Sequence, residues 1–155
     1  HYKKMNLAIF QPDIPQNTGS MIRICSCFNV GIDIIHPSSF PLDDKSLNRV
    51  SMDYKEIVNI DQHDSWEDYK KNKKTRLILL STKGKKSYLD FKFRADDNLI
   101  VGRESVGVPD YVHESADEIL KIPMNSRARS LNVAVSSAIV ISEAIRQIGL
   151  IDESK

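Results

Sequence analysis

The run IPMNSRARSLN, residues 122–132, sets Asn125, Ser126, Arg127, Arg129, Ser130 and Asn132 within eight positions, directly ahead of the apolar stretch 133–148. Starting a helix takes one capping side chain. Two arginines and several short polar groups beside a helix N-terminus, where backbone N–H groups lack intrahelical partners, suit a site for an anionic or highly polar ligand. Taken by itself, the loop reads equally well as a Ser130 cap flanked by solvated arginines.

Two further polar runs accompany it. In NTGSMIR, residues 17–23, Arg23 lies nearly opposite the stripe of Met21, Ile24, Cys25 and Phe28, on the side shared with Gly19. Spacing alone makes Arg23 a solvent-facing arginine. A glycine in a first helical turn, however, costs stability and leaves the backbone open to close approach. In LIVGRESVGVP, residues 99–109, a strand ends at Gly102 and a loop with Glu104, Ser105 and Gly107 follows. Gly102 and Gly107 have the glycine spacing of a P-loop, yet Val108 and Pro109 stand where Lys and Ser or Thr are required. The run GKKS, residues 84–87, fails likewise, because Leu79 holds the upstream glycine position. No GxGxxG follows any strand, which argues against a dinucleotide fold.

Positioning these runs requires short apolar strands alternating with helices. Strands are expected over residues 7–10, 32–35, 57–60, 77–80, 99–101 and 119–122, several of them continuously apolar as strands buried on both faces are. Helices are expected over 18–28, with Asn17 and Thr18 as caps and Gly31 beyond the end, and over 43–50, 65–73, 109–113 and 130–148. The alternation predicts an α/β domain with a mostly parallel sheet flanked by helices. On the last helix Ala134, Ala138, Ile141, Ile145 and Ile148 form one stripe, widened by Leu131, Val135 and Ile139, with a narrow polar ridge of Ser136, Glu143 and Gln147. A helix apolar around most of its circumference needs cover on more than one side, and a homodimer would supply it.

The chain has 155 residues, 41% hydrophobic and 28% charged, with a net charge of +1. It fits one domain, 5–155, preceded by residues 1–4 as an appended or disordered terminus. Net charge selects no partner. A nucleic-acid surface would be local, formed by Lys70, Lys71, Lys73, Lys74 and Arg76, then Lys83, Lys85 and Lys86. No stretch approaches the roughly 18 apolar residues of a membrane span, and HYKK precedes no signal-peptide core, so a cytoplasmic protein is expected. Cys25 and Cys27, two apart on a helix, point about 200° from each other. With histidines only at positions 1, 36, 63 and 113, no metal-ligand spacing arises, so neither a disulfide nor a metal is expected.

Jointly, the order and spacing of NTGSMIR, VGRESVGVP and IPMNSRARSLN resemble the SpoU (TrmH-like) branch of the SPOUT RNA methyltransferases, over residues 7–149. The short length, QPDIPQNTG after the first strand and DDKSLNRVSMDY in the middle resemble the compact subgroup that methylates the ribose of the tRNA wobble nucleotide. The resemblance implies S-adenosyl-L-methionine as methyl donor, a ribose 2′-hydroxyl as acceptor, tRNA as partner and a homodimer. It also implies an α/β-knot fold with a trefoil knot in the C-terminal half.

Carried onto this sequence, the resemblance places the cofactor among Leu80, Gly102, Ile122, Met124, Ser130 and Leu131. Backbone groups at loop ends would read the adenine edge, Gly102 would let the backbone approach the ligand, and Ile122, Met124 and Leu131 would sandwich the ring faces. The chemistry falls to Arg23. An attacking hydroxyl must lose its proton, which needs a base or a stabilised oxyanion. Arginine alone is a poor base, so Arg23 acts either as a base perturbed by RNA phosphate or as a stabiliser of the forming alkoxide. Asn17, Arg129 and Asn132 become substrate-binding residues, Arg129 gripping a phosphate bidentately. Another tRNA or rRNA ribose as acceptor, or a noncatalytic knotted RNA-binding protein, stays open beside the wobble nucleotide.

Overall fold

Apolar runs of four or five residues are too short for a buried helix and satisfy their backbone groups by pairing. In the computed structural model, which describes residues 4–43, 45–46, 49, 58–128 and 131–149, such runs become β1 (Asn6–Phe10), β2 (Gly31–Ile35), β4 (Leu77–Leu80) and β6 (Asn98–Val101). With β3 (Ile60–His63), the two-residue β5 (Lys86–Ser87) and β7 (Glu118–Lys121) they form a seven-stranded sheet among the described residues, in the order β3-β2-β1-β6-β4-β7-β5. Its strand pairings are parallel. Helices α1 (Pro15–Phe28), α2 (Trp66–Asn72), α3 (Asp110–Ser115) and α4 (Val133–Ile148) flank it. Among the described residues no helix is long and apolar enough to cross a membrane.

Successive strand side chains face opposite ways, so each apolar run feeds two cores. Leu7 and Ile9 of β1 and Leu99 and Val101 of β6 pack with α1 and α4, through Met21, Ile22, Val140 and Ile141. Ala8, Phe10 and Ile100 turn to the other side, against Trp66 and Tyr69 of α2 and Val112 of α3. Because both faces are covered, a polar residue in these strands would be buried, and continuous apolar runs result.

Several boundaries depart from expectation. As an edge strand β3 buries only His63 fully and accommodates Asp61 and Gln62, so it runs from Ile60 rather than ending there. Residue 57 and half of the expected 43–50 helix (44, 47, 48 and 50) lie outside the described residues. α1 opens at Pro15, whose missing N–H costs nothing in the first turn, and this puts Asn17 and Thr18 inside the helix rather than at its cap. It ends at Asn29, held in the left-handed region with φ of 56°, while Gly31 opens β2. On α4 the buried stripe is Ala134, Ser137, Val140, Ile141, Ala144 and Ile145. Ser137 is admitted because its hydroxyl donates to the Val133 carbonyl at 2.8 Å. Ala138 and Ile139 are half-buried, and Val135 and Ile148 are exposed. On α1, Cys25 is buried, which pushes its thiol up to about 12, whereas Cys27 faces solvent.

Buried charge anchors the sheet. Fully buried Asp97 accepts from Arg76 Nε at 2.8 Å, Arg76 Nη2 at 2.7 Å and the Arg94 N–H at 2.7 Å, which ties the starts of β4 and β6 together. Asp33 in β2 lies 2.7 Å from His63 Nε2 and 2.8 Å from Lys73 Nζ, and Lys70 pairs with Glu67 at 3.4 Å. Arg76 and Lys73 are therefore engaged within the protein, and the basic run expected as a nucleic-acid surface loses two of its members to internal pairs, while Lys70 makes only an exposed surface pair. Asp97→Ala strands the Arg76 guanidinium beside the core. It is expected to cost about 3 kcal/mol, measured as an earlier midpoint in urea unfolding followed by circular dichroism.

Candidate functional site

In a parallel sheet all carboxyl ends lie along one edge, and ligands settle in crevices there. Leu80 closes β4, Gly102 follows β6 and Ile122 follows β7, and the sheet order sets these three strands side by side with β4 in the middle. The loops beyond them wall a cavity of about 400 Å³. Five of the expected cofactor residues, Leu80, Gly102, Ile122, Met124 and Leu131, line it. Ser130, the sixth, and Arg129 lie outside the described residues. Met124 and Leu131 are each 37% exposed and Val106, also lining the cavity, is 64% exposed, so apolar surface faces the space unpacked.

The loop after β6 is pinched shut. Arg103 N–H donates to the Gly107 carbonyl at 3.1 Å, Gly107 N–H donates back at 2.9 Å, and Arg103 Nε adds a bond to the Gly107 carbonyl at 3.0 Å. Gly107 sits at φ of +66°, which favours glycine. A Cβ on Gly102 would come within 2.7 Å of the Gly107 carbonyl carbon. The room at Gly102 is thus taken by Gly107 across the pinch, where the sequence had assigned it to a ligand.

The amides opening α4 are not free for an anion either. The Glu104 carboxylate accepts from the Val133 N–H at 2.8 Å, and Asn132 Oδ1 accepts from Ala134 at 2.8 Å and Val135 at 3.1 Å. Asn132, not Ser130, is the cap, and the helix begins at Val133. Asn132 spends its other end on Asn17, its Nδ2 donating to Asn17 Oδ1 at 2.9 Å. The first and third polar runs, 115 positions apart, are joined by that bond.

Arg23 stands elsewhere. Exposed on α1, it lines a second groove of about 500 Å³ with Gln16, Gly19, Ser20, Phe40 and Arg49. Within one chain the structure brings Asn17 and Asn132 together and gathers the apolar cofactor residues, but it leaves Arg23 out of the cavity they form.

Sequence reasoning missed several contributors. Ser81, Thr82 and Lys83 line the cavity after β4, and His113 lines it from α3. Glu104 was noted only as a loop residue. Its position three residues past a strand end in a glycine-bounded loop was the available signal, but its partner Val133 is remote in sequence. Asp13 was quoted within QPDIPQNTG but given no role, although its carboxylate accepts from the Glu104 N–H at 3.2 Å, the Ser105 N–H at 3.4 Å and the Ser105 hydroxyl at 3.0 Å.

The SpoU rRNA Methylase family matches residues 4–142. A tRNA (cytidine(34)-2′-O)-methyltransferase of Beijerinckia indica subsp. indica is 49% identical over 146 residues, 92% of this chain and 91% of its own. A solved structure described as giving insight into the 2-OH methylation of C/U34 on tRNA superposes with a TM-score of 0.86 at 34% identity, covering 95% of this chain and 92% of that one. The SpoU methyltransferase AviRb from Streptomyces viridochromogenes, solved with AdoMet, has a TM-score of 0.81 at 24% identity over 95% of this chain and 61% of its own, a likeness of fold. A parallel sheet whose adjacent β6, β4 and β7 loops enclose one cavity is thus matched along nearly its whole length, and the chain belongs to the SpoU rRNA methylase family.

Proposed function

We infer that this protein methylates the ribose 2′-hydroxyl of the tRNA wobble nucleotide, with S-adenosyl-L-methionine as donor. The observation that carries this assignment is the cavity that the second and third polar runs wall at the carboxyl edge of the sheet, with the first run tied to them by the Asn132–Asn17 bond. The near full-length likeness to a relative named for cytidine 34 supports the choice of nucleotide.

The cavity suits the cofactor. Its volume of about 400 Å³ lies in the range of small-molecule sites. Its open apolar residues offer two faces for a flat purine, and strand-end backbone groups offer an edge. In this assignment Leu80, Gly102 and Ile122 hold the cofactor through their main chain, Met124 and Leu131 cover it, and Ser130 completes the site. When bound, S-adenosyl-L-methionine supplies an electrophilic methyl group carried on a sulfonium.

The chain's own residues have the rest of the work. A 2′-oxygen gains negative charge as its proton leaves, and a guanidinium stabilises that charge better than it removes the proton; Arg23 is given the stabilising part, and the proton passes to another acceptor, solvent water. Asn132 uses its carbonyl oxygen on α4 and one amide hydrogen on Asn17, so the Asn17 amide is the donor this pair turns toward ribose. Arg129 is assigned the neighbouring phosphate.

Arg23 reaches the cavity if a second copy brings it. Val135 and Ile148 on α4 and Phe28 at the end of α1 are 48%, 37% and 37% exposed, apolar surface on the elements that carry the two halves of the site. We therefore propose a homodimer acting on tRNA in the cytoplasm. The trefoil knot is inferred from the family likeness alone; Gln147, which accepts from the Phe93 N–H at 2.9 Å and donates to the Phe91 carbonyl at 2.9 Å, holds the segment before β6 against α4.

Arg23→Ala is expected to lower methyl transfer to unmodified tRNA about 100-fold or more, while calorimetric binding of S-adenosylhomocysteine stays unchanged. Arg23→Lys retains part of the rate if the charge is what matters, and near-normal turnover of Arg23→Ala removes Arg23 from the chemistry. Sedimentation at micromolar concentration is expected to give a dimer. Val135→Asp should give a folded monomer that binds cofactor but transfers no methyl group, and a wild-type monomer with full activity would refute the shared site.

A further inference from the structure

The pinch between Arg103 and Gly107 leaves residues 104–106 as a protruding tip. Ser105 and Val106 of that tip are exposed and also form part of the cavity wall. The tip's outward N–H groups, at Glu104 and Ser105, together with the Ser105 hydroxyl, converge on one carboxylate. That carboxylate is Asp13, half-buried in the segment between β1 and α1.

These bonds close a ring. From Asp13 the path runs to the backbone of residue 104, through the Glu104 carboxylate to the Val133 N–H, and through the adjoining Asn132 to Asn17. Asn17 lies four positions after Asp13, on the same segment. One segment therefore grips the cavity wall at one end and the cap of α4 at the other. At 3.0–3.4 Å these bonds are long, and the Asp13 end holds the tip through three donors sharing one charged acceptor.

We propose that Asp13 is a positioning residue of the methyl-donor site: it holds the 104–106 tip in the closed shape that makes one wall of the cavity, and so couples cofactor occupancy to the substrate-side segment that carries Asn17. The proposal rests on the assignment of the cavity to S-adenosyl-L-methionine. Without the Asp13 carboxylate the tip keeps, among the described residues, the hydrogen bonds of its own pinch and that of Glu104. Its amides turn to water, and a ligand must then order the wall as it binds. By linkage, any substrate that steadies the 13–17 segment raises cofactor affinity by the same factor that cofactor raises its own.

The test uses the full chain, S-adenosylhomocysteine as the calorimetric probe, and steady-state kinetics with unmodified tRNA. Asp13→Ala is expected to weaken probe binding about tenfold or more and to raise KM for the donor in proportion, with kcat changed less, as loss of hydrogen bonds to a charged group implies. Asp13→Asn falls between, because its carboxamide oxygen still accepts from one of the two N–H groups. Ser105→Ala weakens binding severalfold in the wild-type background and adds nothing to Asp13→Ala, since the two share one interaction. A lowered melting temperature with unchanged affinity of the folded protein, or additive effects of the two substitutions, overturns the positioning role. A wild-type protein that fails to bind S-adenosylhomocysteine overturns the cofactor assignment beneath it, whereas wild-type binding left intact in Asp13→Ala overturns the Asp13 proposal alone.

Discussion

The first N–H groups of α4 need acceptors, and the acceptors they find hold the three polar runs in place. A carboxylate at the positive end of a helix gains from the macrodipole as well as from its hydrogen bond, and Glu104 occupies that position against Val133. Since α4 is fixed in the core by its buried stripe from Ala134 to Ile145, the location of its first turn dictates where Glu104 must be. The loop bearing Glu104 is closed on itself through Arg103 and Gly107, so fixing one residue fixes the wall. Asn132 extends the same constraint to Asn17 and hence to α1.

Parallel pairing makes this convergence possible. Each strand delivers its next loop to the same edge of the sheet, so runs 17–23, 101–109 and 122–132 meet although the chain between them is long. The order β1-β6-β4-β7 sharpens the effect, because the later strands insert beside β1 instead of extending the sheet outward. Apolar burial on both faces keeps this edge rigid, and polar residues accumulate beyond the strand ends, where backbone groups are not consumed by the ladder.

Legibility in the sequence followed the strength of burial. The central strands were readable because two-sided burial keeps them nearly continuously apolar, a buried Asp33 being admitted in β2 by its pairs with His63 and Lys73, and Leu77–Leu80 lies within its expected bounds. The edges were not: β3 carries Asp61 and Gln62, and β5 has two residues with no apolar signal. The cavity-lining residues could be named because the family resemblance maps them onto strand ends. What those residues do locally was less accessible. Ser130 resembled a cap, but Asn132 takes that part, and the amides expected to meet an anion meet Glu104. Such pairings, like Asp13 with Ser105 across 92 positions, leave no local pattern to read. The engagement of Arg76 and Lys73 by Asp97 and Asp33 was hidden for the same reason.

The separation of Arg23 from the cavity follows from α1 itself. Asn17, in the first turn, belongs to the ring of hydrogen bonds around the cavity, and six residues of helix carry the chain about 9 Å farther along the axis before Arg23 is reached. Reacting atoms must come within about 3.5 Å. Shortening α1 would pull Arg23 inward but would break the bond to Asn132 or displace Cys25 and Met21 from the core. A second copy meets the geometric need without either cost. Its approach would cover Val135, Ile148 and Phe28, which a lone chain leaves in water. On the proposed dimer the apolar surface left on α4 and the position of Arg23 have one cause, a site that two copies complete together.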